Sequence, residues 1–308
     1  MNVLVSGVGG DIGLGVARVL REWNANTRLY GIDIHLNHPG EAVLDKCEVA
    51  PRASDTSYIS WLTDYIFQNN IKIFLPTSEA EIEVLAKEGI NWIGDAFVIR
   101  TSNFTIEKSL DKHACLSYLA SKGIEVPEHG LVGKDVPDRY PIVVKPRSGQ
   151  GSKGVKVIRT PEELDACESG LVWQRYLVPE DEEYTCPVYS SKMSGTRILL
   201  LKRKLIGGLT GSGVVVENEE IEQYVHRIVK CMQLDGAMNI QLRLTDAGPL
   251  LFEINPRISS TVVFRDKLGF TDVRWWLADR LGLKKTHYSA PKAGTRFYRG
   301  AHEYILSN

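Results

Sequence analysis

Cysteine is scarce in this 308-residue chain: Cys47, Cys115, Cys167, Cys186 and Cys231 are scattered, odd in number and without a C-x-x-C pair. That argues against a disulfide framework or a zinc site and fits reduced thiols in a cytoplasmic protein. No apolar run approaches the ~18 residues a membrane span needs. Met1-Asn-Val-Leu-Val-Ser-Gly7 has no basic n-region and no long apolar stretch, so it reads as a first strand rather than a secretion signal. Net charge is −1, so neither nucleic acid nor an anionic membrane is an expected partner. No G-x-x-x-x-G-K-[ST] stretch is present, which excludes a Walker-type phosphate loop. Internal repeats, low-complexity tracts and metal-spaced histidines are likewise missing.

The composition is that of a globular chain, 43% hydrophobic and 24% charged. Over residues 1–100 strand and helix signals alternate: Asn2 to Ser6, a glycine turn at Gly7-Val-Gly9-Gly10-Asp-Ile-Gly13, a helix from Leu14 to Glu22, a strand from Leu29 to Ile34, a helix from Tyr58 to Asn69 and a strand from Ile71 to Leu75. This predicts a parallel, Rossmann-like α/β sheet, with ligand groups near Gly7 to Gly13, Asp33 and Pro76 to Glu79 at the strand ends. Beyond residue 100 the pattern becomes α+β. A helix is expected from Leu110 to Lys122, then short strands at 142–145, 155–158, 171–174, 197–201 and 214–216, with helices at 161–166 and 219–232. The expected boundaries are 1–100, 101–177 and 178–308.

Asn239 to Arg257 reads as a β-hairpin, two alternating runs about a loop at Thr245 to Pro249. Folding it about Ala247 sets Gln241 opposite Glu253. One face then carries Ile240, Leu242, Leu244, Leu250, Phe252 and Ile254; the other carries Asn239, Gln241, Arg243, Glu253 and Asn255. Gln241, Glu253 and Asn255 can offer hard oxygens to one small volume, a donor set suited to Mg²⁺. Arg257, just beyond, can neutralise a transferring phosphoryl group. The same pattern also suits an amphipathic hairpin with a solvated face. Residues 142–158 read as strand, Gly/Ser-rich loop and strand, with Lys145 ending the first strand and loop N–H groups available to phosphate.

Together these segments resemble the ATP-grasp superfamily, and within it the synthetase halves of the carbamoyl-phosphate synthetase large subunit and related carboxylate–amine ligases. The resemblance implies a Rossmann-like domain followed by a two-subdomain ATP-grasp fold, with ATP and Mg²⁺ (or Mn²⁺) as cofactors. It makes Lys112, in Leu110-Asp-Lys112, and Lys145 phosphate contacts, and Ser148, Gln150, Gly151 and Ser152 part of a lid loop. Trp173-Gln174-Arg175-Tyr176-Leu177 corresponds to the hinge that meets adenine, and Glu183, or Glu182 beside it, to the ribose ligand. Gln241, Glu253 and Asn255 become the metal ligands, and Arg257 with Lys145 the catalytic pair. The implied reaction converts a small-molecule carboxylate, with amino acids, peptides and sugar acids all open, to an acyl phosphate, which an amine or ammonia then attacks. Where the carbamoyl-phosphate enzymes carry a histidine near Thr210-Gly211, this chain has Leu209. It has one ATP-grasp unit and no glutaminase segment. Oligomeric state is left open, a homo-oligomer included.

A rival reading is an NAD(P)-dependent reductase. Gly7, Gly10 and Gly13 have short-chain dehydrogenase spacing, Asp33 could hold a ribose, and Tyr118-x-x-x-Lys122 mimics that family's catalytic pair. Glycines there also serve strand-to-helix packing. Trp275-Trp276 reads as core or interface. Lys202-Arg203-Lys204 reads as a mostly solvated charge run, with Arg203 alone a candidate to face an acceptor.

Overall fold

The computed structural model describes residues 1–149, 154–283, 288–302 and 304. Their strands form three sheets. The first contains β1 (Asn2–Ser6), β2 (Arg28–Asp33), β3 (Lys46–Val49), β4 (Ile73–Leu75), β5 (Trp92–Ile93) and β6 (Ala96–Val98), in the order β3-β2-β1-β4-β6-β5. All pairs are parallel except β5–β6. Successive side chains of a strand face opposite ways. Val3 and Val5 therefore join the core under helix α1 (Asp11–Trp23), while Leu4, Tyr30 and Phe74 pack under α2 (Tyr58–Gln68) and α3 (Glu79–Lys87). The sheet is thus doubly wound. Ser78 caps α3 by accepting from the Glu81 N–H, which fixes where that helix starts.

The helix expected at 110–122 is α5 (Lys112–Ser121), and a further helix not read from the sequence, α4 (Asn103–Leu110), runs directly before it. Asp111 adopts an extended conformation and accepts from the Ala114 N–H at 3.0 Å, so it breaks one helix and caps the next. The second sheet pairs β7 (His129–Leu131), β8 (Ile142–Lys145), β9 (Lys156–Ile158) and β10 (Val172–Arg175) in the order β7-β10-β8-β9, with α6 (Pro161–Asp165) against it. Its core is small, built on Ile142, Val144, Ile158, Leu164 and Trp173.

The third sheet runs β16-β15-β11-β13-β14-β17, with β12 on β11. These are β11 (Glu183–Ser191), β12 (Gly195–Ile198), β13 (Leu201–Ile206), β14 (Leu209–Val215), β15 (Gly236–Thr245), β16 (Gly248–Asn255) and β17 (Arg296–Tyr298). Helix α7 (Glu219–Met232), at its expected bounds, covers one face. On the other side α8 (Val262–Lys267) and α9 (Asp272–Arg280) meet α1, and one continuous core holds Val3, Val16, Leu20, Leu201, Trp275 and Trp276. The tryptophan pair is therefore core. A Cβ on Gly15 would lie 2.6 Å from Val262 Cγ1, so α1 reaches α8 only because that position is glycine.

Candidate active site

The β15–β16 hairpin sets Gln241 opposite Glu253 and Asn239 opposite Asn255. Its turn is tighter than the expected five-residue loop, because Thr245 already pairs with Gly248. The extra residue is taken up by a bulge between Gln241 and Leu242, where the pairing shifts to Leu242 with Leu251. A bulge reverses which face later residues occupy. Leu251, not Leu250 or Phe252, is consequently the buried core residue, and Phe252 turns onto a cavity. Period-two reading alone places these two residues on the wrong face.

That cavity, about 210 Å³, lies between the second and third sheets. Lys112, Lys145, Ser148, Gln174, Arg175, Tyr176, Leu177, Glu183, Gln241 and Glu253 all line it. Lys112 opens α5, where its ammonium lies 3.4 Å from Glu253 Oε1 and donates to the Gly149 carbonyl at 2.7 Å. Lys145, the last residue of β8, is 7% exposed and donates to the Phe252 carbonyl at 2.9 Å. Burial pulls its ammonium down to about 8, against the opposing pull of Glu253 and with help from Lys112. Gln150, Gly151 and Ser152 lie outside the described residues.

In the segment expected to form the hinge, the Arg175 and Tyr176 N–H groups already donate to the Glu128 and Pro141 carbonyls. The Gln174 side chain is 2% exposed, and neither its oxygen nor its nitrogen has a hydrogen-bond partner among the described residues. A buried amide with no partner, aimed at a cavity, is costly unless a ligand edge completes it.

Glu183 is gripped by two guanidiniums, Arg203 Nη2 at 2.8 Å and Arg243 Nη2 at 2.8 Å. Glu182 instead pairs with Lys202 and accepts from the Tyr184 hydroxyl at 2.5 Å. Arg203 is thus no member of a solvated run. Its side chain is 8% exposed and it also donates to Gln241 Oε1 at 2.9 Å, because alternation along β13 turns it inward between Lys202 and Lys204.

The three expected metal donors each face a cation: Gln241 faces Arg203, Glu253 faces Lys112, and Asn255 Oδ1 accepts from Arg257 Nη2 at 3.1 Å. One carboxylate and two amides, converging in oxygen and already drawing positive charge, fit a hard divalent cation. Arg257 also pairs with Glu79 Oε1 at 2.8 Å, which ties α3 of the first sheet to the hairpin. Burial, together with Glu253, raises the Glu79 carboxyl above its ordinary value, while Arg257 and Lys112 oppose the rise.

Gln241, Glu253 and Arg203 also line a second, larger cleft of about 850 Å³, which reaches the first sheet. Asn255, Arg257, Asp11, Asp33 and Leu209 border it. Its walls are held by Arg299, missed in the sequence, which bonds Asp11 Oδ1 at 2.6 Å, the Thr210 carbonyl at 2.9 Å and the Ser260 carbonyl at 3.0 Å. Nothing local marks Arg299, since its partners are brought together only by tertiary packing.

The features of the reductase reading are occupied otherwise. A Cβ on Gly13 would collide with the Gly7 carbonyl, so that glycine serves close packing of β1 on α1. Asp33 Oδ2 accepts from the Gly9 N–H at 2.9 Å, and the Tyr118 hydroxyl donates to the Cys231 carbonyl at 2.9 Å.

Residues 109–261 match a family described as the ATP-grasp domain. The chain carries an ATP-grasp domain. The carbamoyl phosphate synthase large chain of Thermotoga neapolitana is 29% identical over 210 residues, 59% of this chain and 18% of that protein. This ATP-grasp chain thus spans about a fifth of the length of that curated relative. An N5-carboxyaminoimidazole ribonucleotide synthetase solved as an ADP complex superposes with a TM-score of 0.72 at 16% identity, covering 94% of this chain and 79% of that one. The biotin carboxylase domain of the Hydrogenobacter thermophilus 2-oxoglutarate carboxylase, solved with MgADP and bicarbonate, gives 0.71 at 16% identity, covering 96% and 73%. These structures share the ATP-grasp fold, and none of these matches supports a reductase. Among the described residues, no helix is long and apolar enough to cross a membrane.

Proposed function

We propose that the chain is an ATP- and Mg²⁺-dependent ligase that phosphorylates a carboxylate and passes the acyl group to an amine-type acceptor. The observation that carries this reading is the meeting of two cavities at Gln241, Glu253 and Arg203, one lined by the hinge and two lysines, the other open toward the first sheet. The ADP and MgADP complexes of the fold neighbours, and the carbamoyl phosphate synthase relative, support it. The division at residues 100 and 177 belongs to the same proposal, each part carrying one sheet.

In this reading the Gln174 amide meets the base edge, and Glu183 stands at the ribose end of the cavity. Lys112 and Lys145 hold phosphate oxygens. Gln241, Glu253 and Asn255 would hold Mg²⁺, which when bound supplies charge neutralisation across the phosphates. The substrate carboxylate forms a bond to the γ-phosphorus as the bond to the ADP oxygen breaks, and Arg257 offsets charge on the transferring group. The amine nitrogen then bonds to the acyl carbon, phosphate leaves and a proton is released. Alignment and charge neutralisation are the main catalytic work.

Titration calorimetry with ATP, with and without Mg²⁺ and with NADPH in parallel, tests this. Mg²⁺-dependent ATP binding that is lost in Lys145→Ala is expected. Uptake of NADPH with no response to ATP would overturn the reading.

A further inference from the structure

We infer that the larger cleft accepts a carboxylic acid with an apolar body, and that bicarbonate is not its substrate; this rests on the ligase reading above. The cleft holds about 850 Å³, a size that suits an organic ligand of many heavy atoms. Two of its walls present large aliphatic side chains to solvent. Ile34 is 40% and Leu36 69% exposed after β2, and Leu205 is 44% and Leu209 38% exposed at the β13–β14 tip. Water covers these groups unfavourably, and a bound apolar surface would displace it.

Their position relative to the chemistry decides the substrate class. Leu205 lines both cavities, as Gln241 and Glu253 do. The apolar lining therefore reaches the junction of the two cavities. Gly207 and Gly208, at φ 58° and 80°, form the turn that hangs Leu205 and Leu209 over the cleft. A bare inorganic anion would leave this apolar lining uncovered, whereas an acid with an aliphatic or aromatic body covers it while its carboxylate meets the cationic end at Arg203 and Arg257.

The test is calorimetric titration of the full chain, saturated with MgADP, using 4-phenylbutyrate, acetate and bicarbonate as probes. Phenylbutyrate is expected to bind about tenfold more tightly than either small anion, the gain that burying one large apolar group gives. Leu36→Asp and Leu209→Asp, both at exposed positions, are each expected to weaken phenylbutyrate about fivefold. Equal or undetectable binding of the three probes, or a preference for bicarbonate, overturns the inference while MgADP uptake leaves the ligase reading standing. A chain that takes up no MgADP overturns both.

Discussion

Two buried polar clusters in this chain are built on opposite plans. Around Arg265 the network is closed. Its guanidinium and Asp272 are 1% and 2% exposed, and the same guanidinium bonds the Ser259 hydroxyl at 3.0 Å and the Thr261 hydroxyl at 2.9 Å. One cation meets one anion, and the remaining donors find oxygens nearby. Around Glu253 the network is open. Lys112, Lys145, Arg203 and Arg243 line the smaller cavity with Glu183 and Glu253, beside a Gln174 amide that has no partner among the described residues. Such an excess of positive charge beside a cavity suits a polyphosphate ligand, whereas a self-satisfied pair serves the fold.

The strongest way to test the contrast is to remove the one carboxylate of the proposed metal-donor set. Glu253→Ala should lower ADP release at least about a thousandfold, leaving the melting temperature nearly unchanged; near-normal ADP release by that variant would sink the metal assignment. In the closed cluster the effects should reverse. Arg265→Leu leaves Asp272 buried and unpaired and should cost about 3–5 kcal/mol of stability, read from denaturant unfolding. A variant with unchanged stability and lost turnover would place Arg265 in the reaction instead.

A smaller effect follows from Lys145. In the free chain its ammonium is protonated below about 8 and neutral above, because burial disfavours the charge. A triphosphate selects the protonated form. Affinity for MgATP should therefore hold steady below that pH and fall, by up to about tenfold per pH unit, above it. Calorimetry in buffers of different ionisation enthalpy should show proton uptake near pH 8.5; uptake that persists in Lys145→Met would assign the proton elsewhere. The mildest change is Gln174→Leu, which should raise the KM for ATP about three- to tenfold and narrow its preference over other nucleoside triphosphates, with kcat largely kept. An unaltered preference would remove Gln174 from base recognition.

Local pattern carried much of this architecture. The bounds of α7, the core position of Trp275 and Trp276, and the pairing of Gln241 with Glu253 follow from periodicity and from the symmetry of a hairpin. What escaped has three physical sources. A bulge shifts register by one residue without any compositional mark, which hid Phe252 behind Leu251. A short helix placed directly before a capped one leaves no separate pattern, and α4 ends at the Asp111 that caps α5. Long-range pairing has no local trace at all: Glu79 reaches Arg257 across 178 positions, and Arg299 reaches Asp11 across 288.

The shared core under α1 has a mechanical consequence. Gly15 lets α1 sink against Val262, and apolar side chains of the first and third sheets interlock there. The second sheet keeps a small core of its own. The molecule is therefore built like a vice with one fixed jaw: under the proposed function, admitting a nucleotide would fall to the jaw that carries Lys145, and a bulkier residue at position 15 would loosen the anvil rather than the grip.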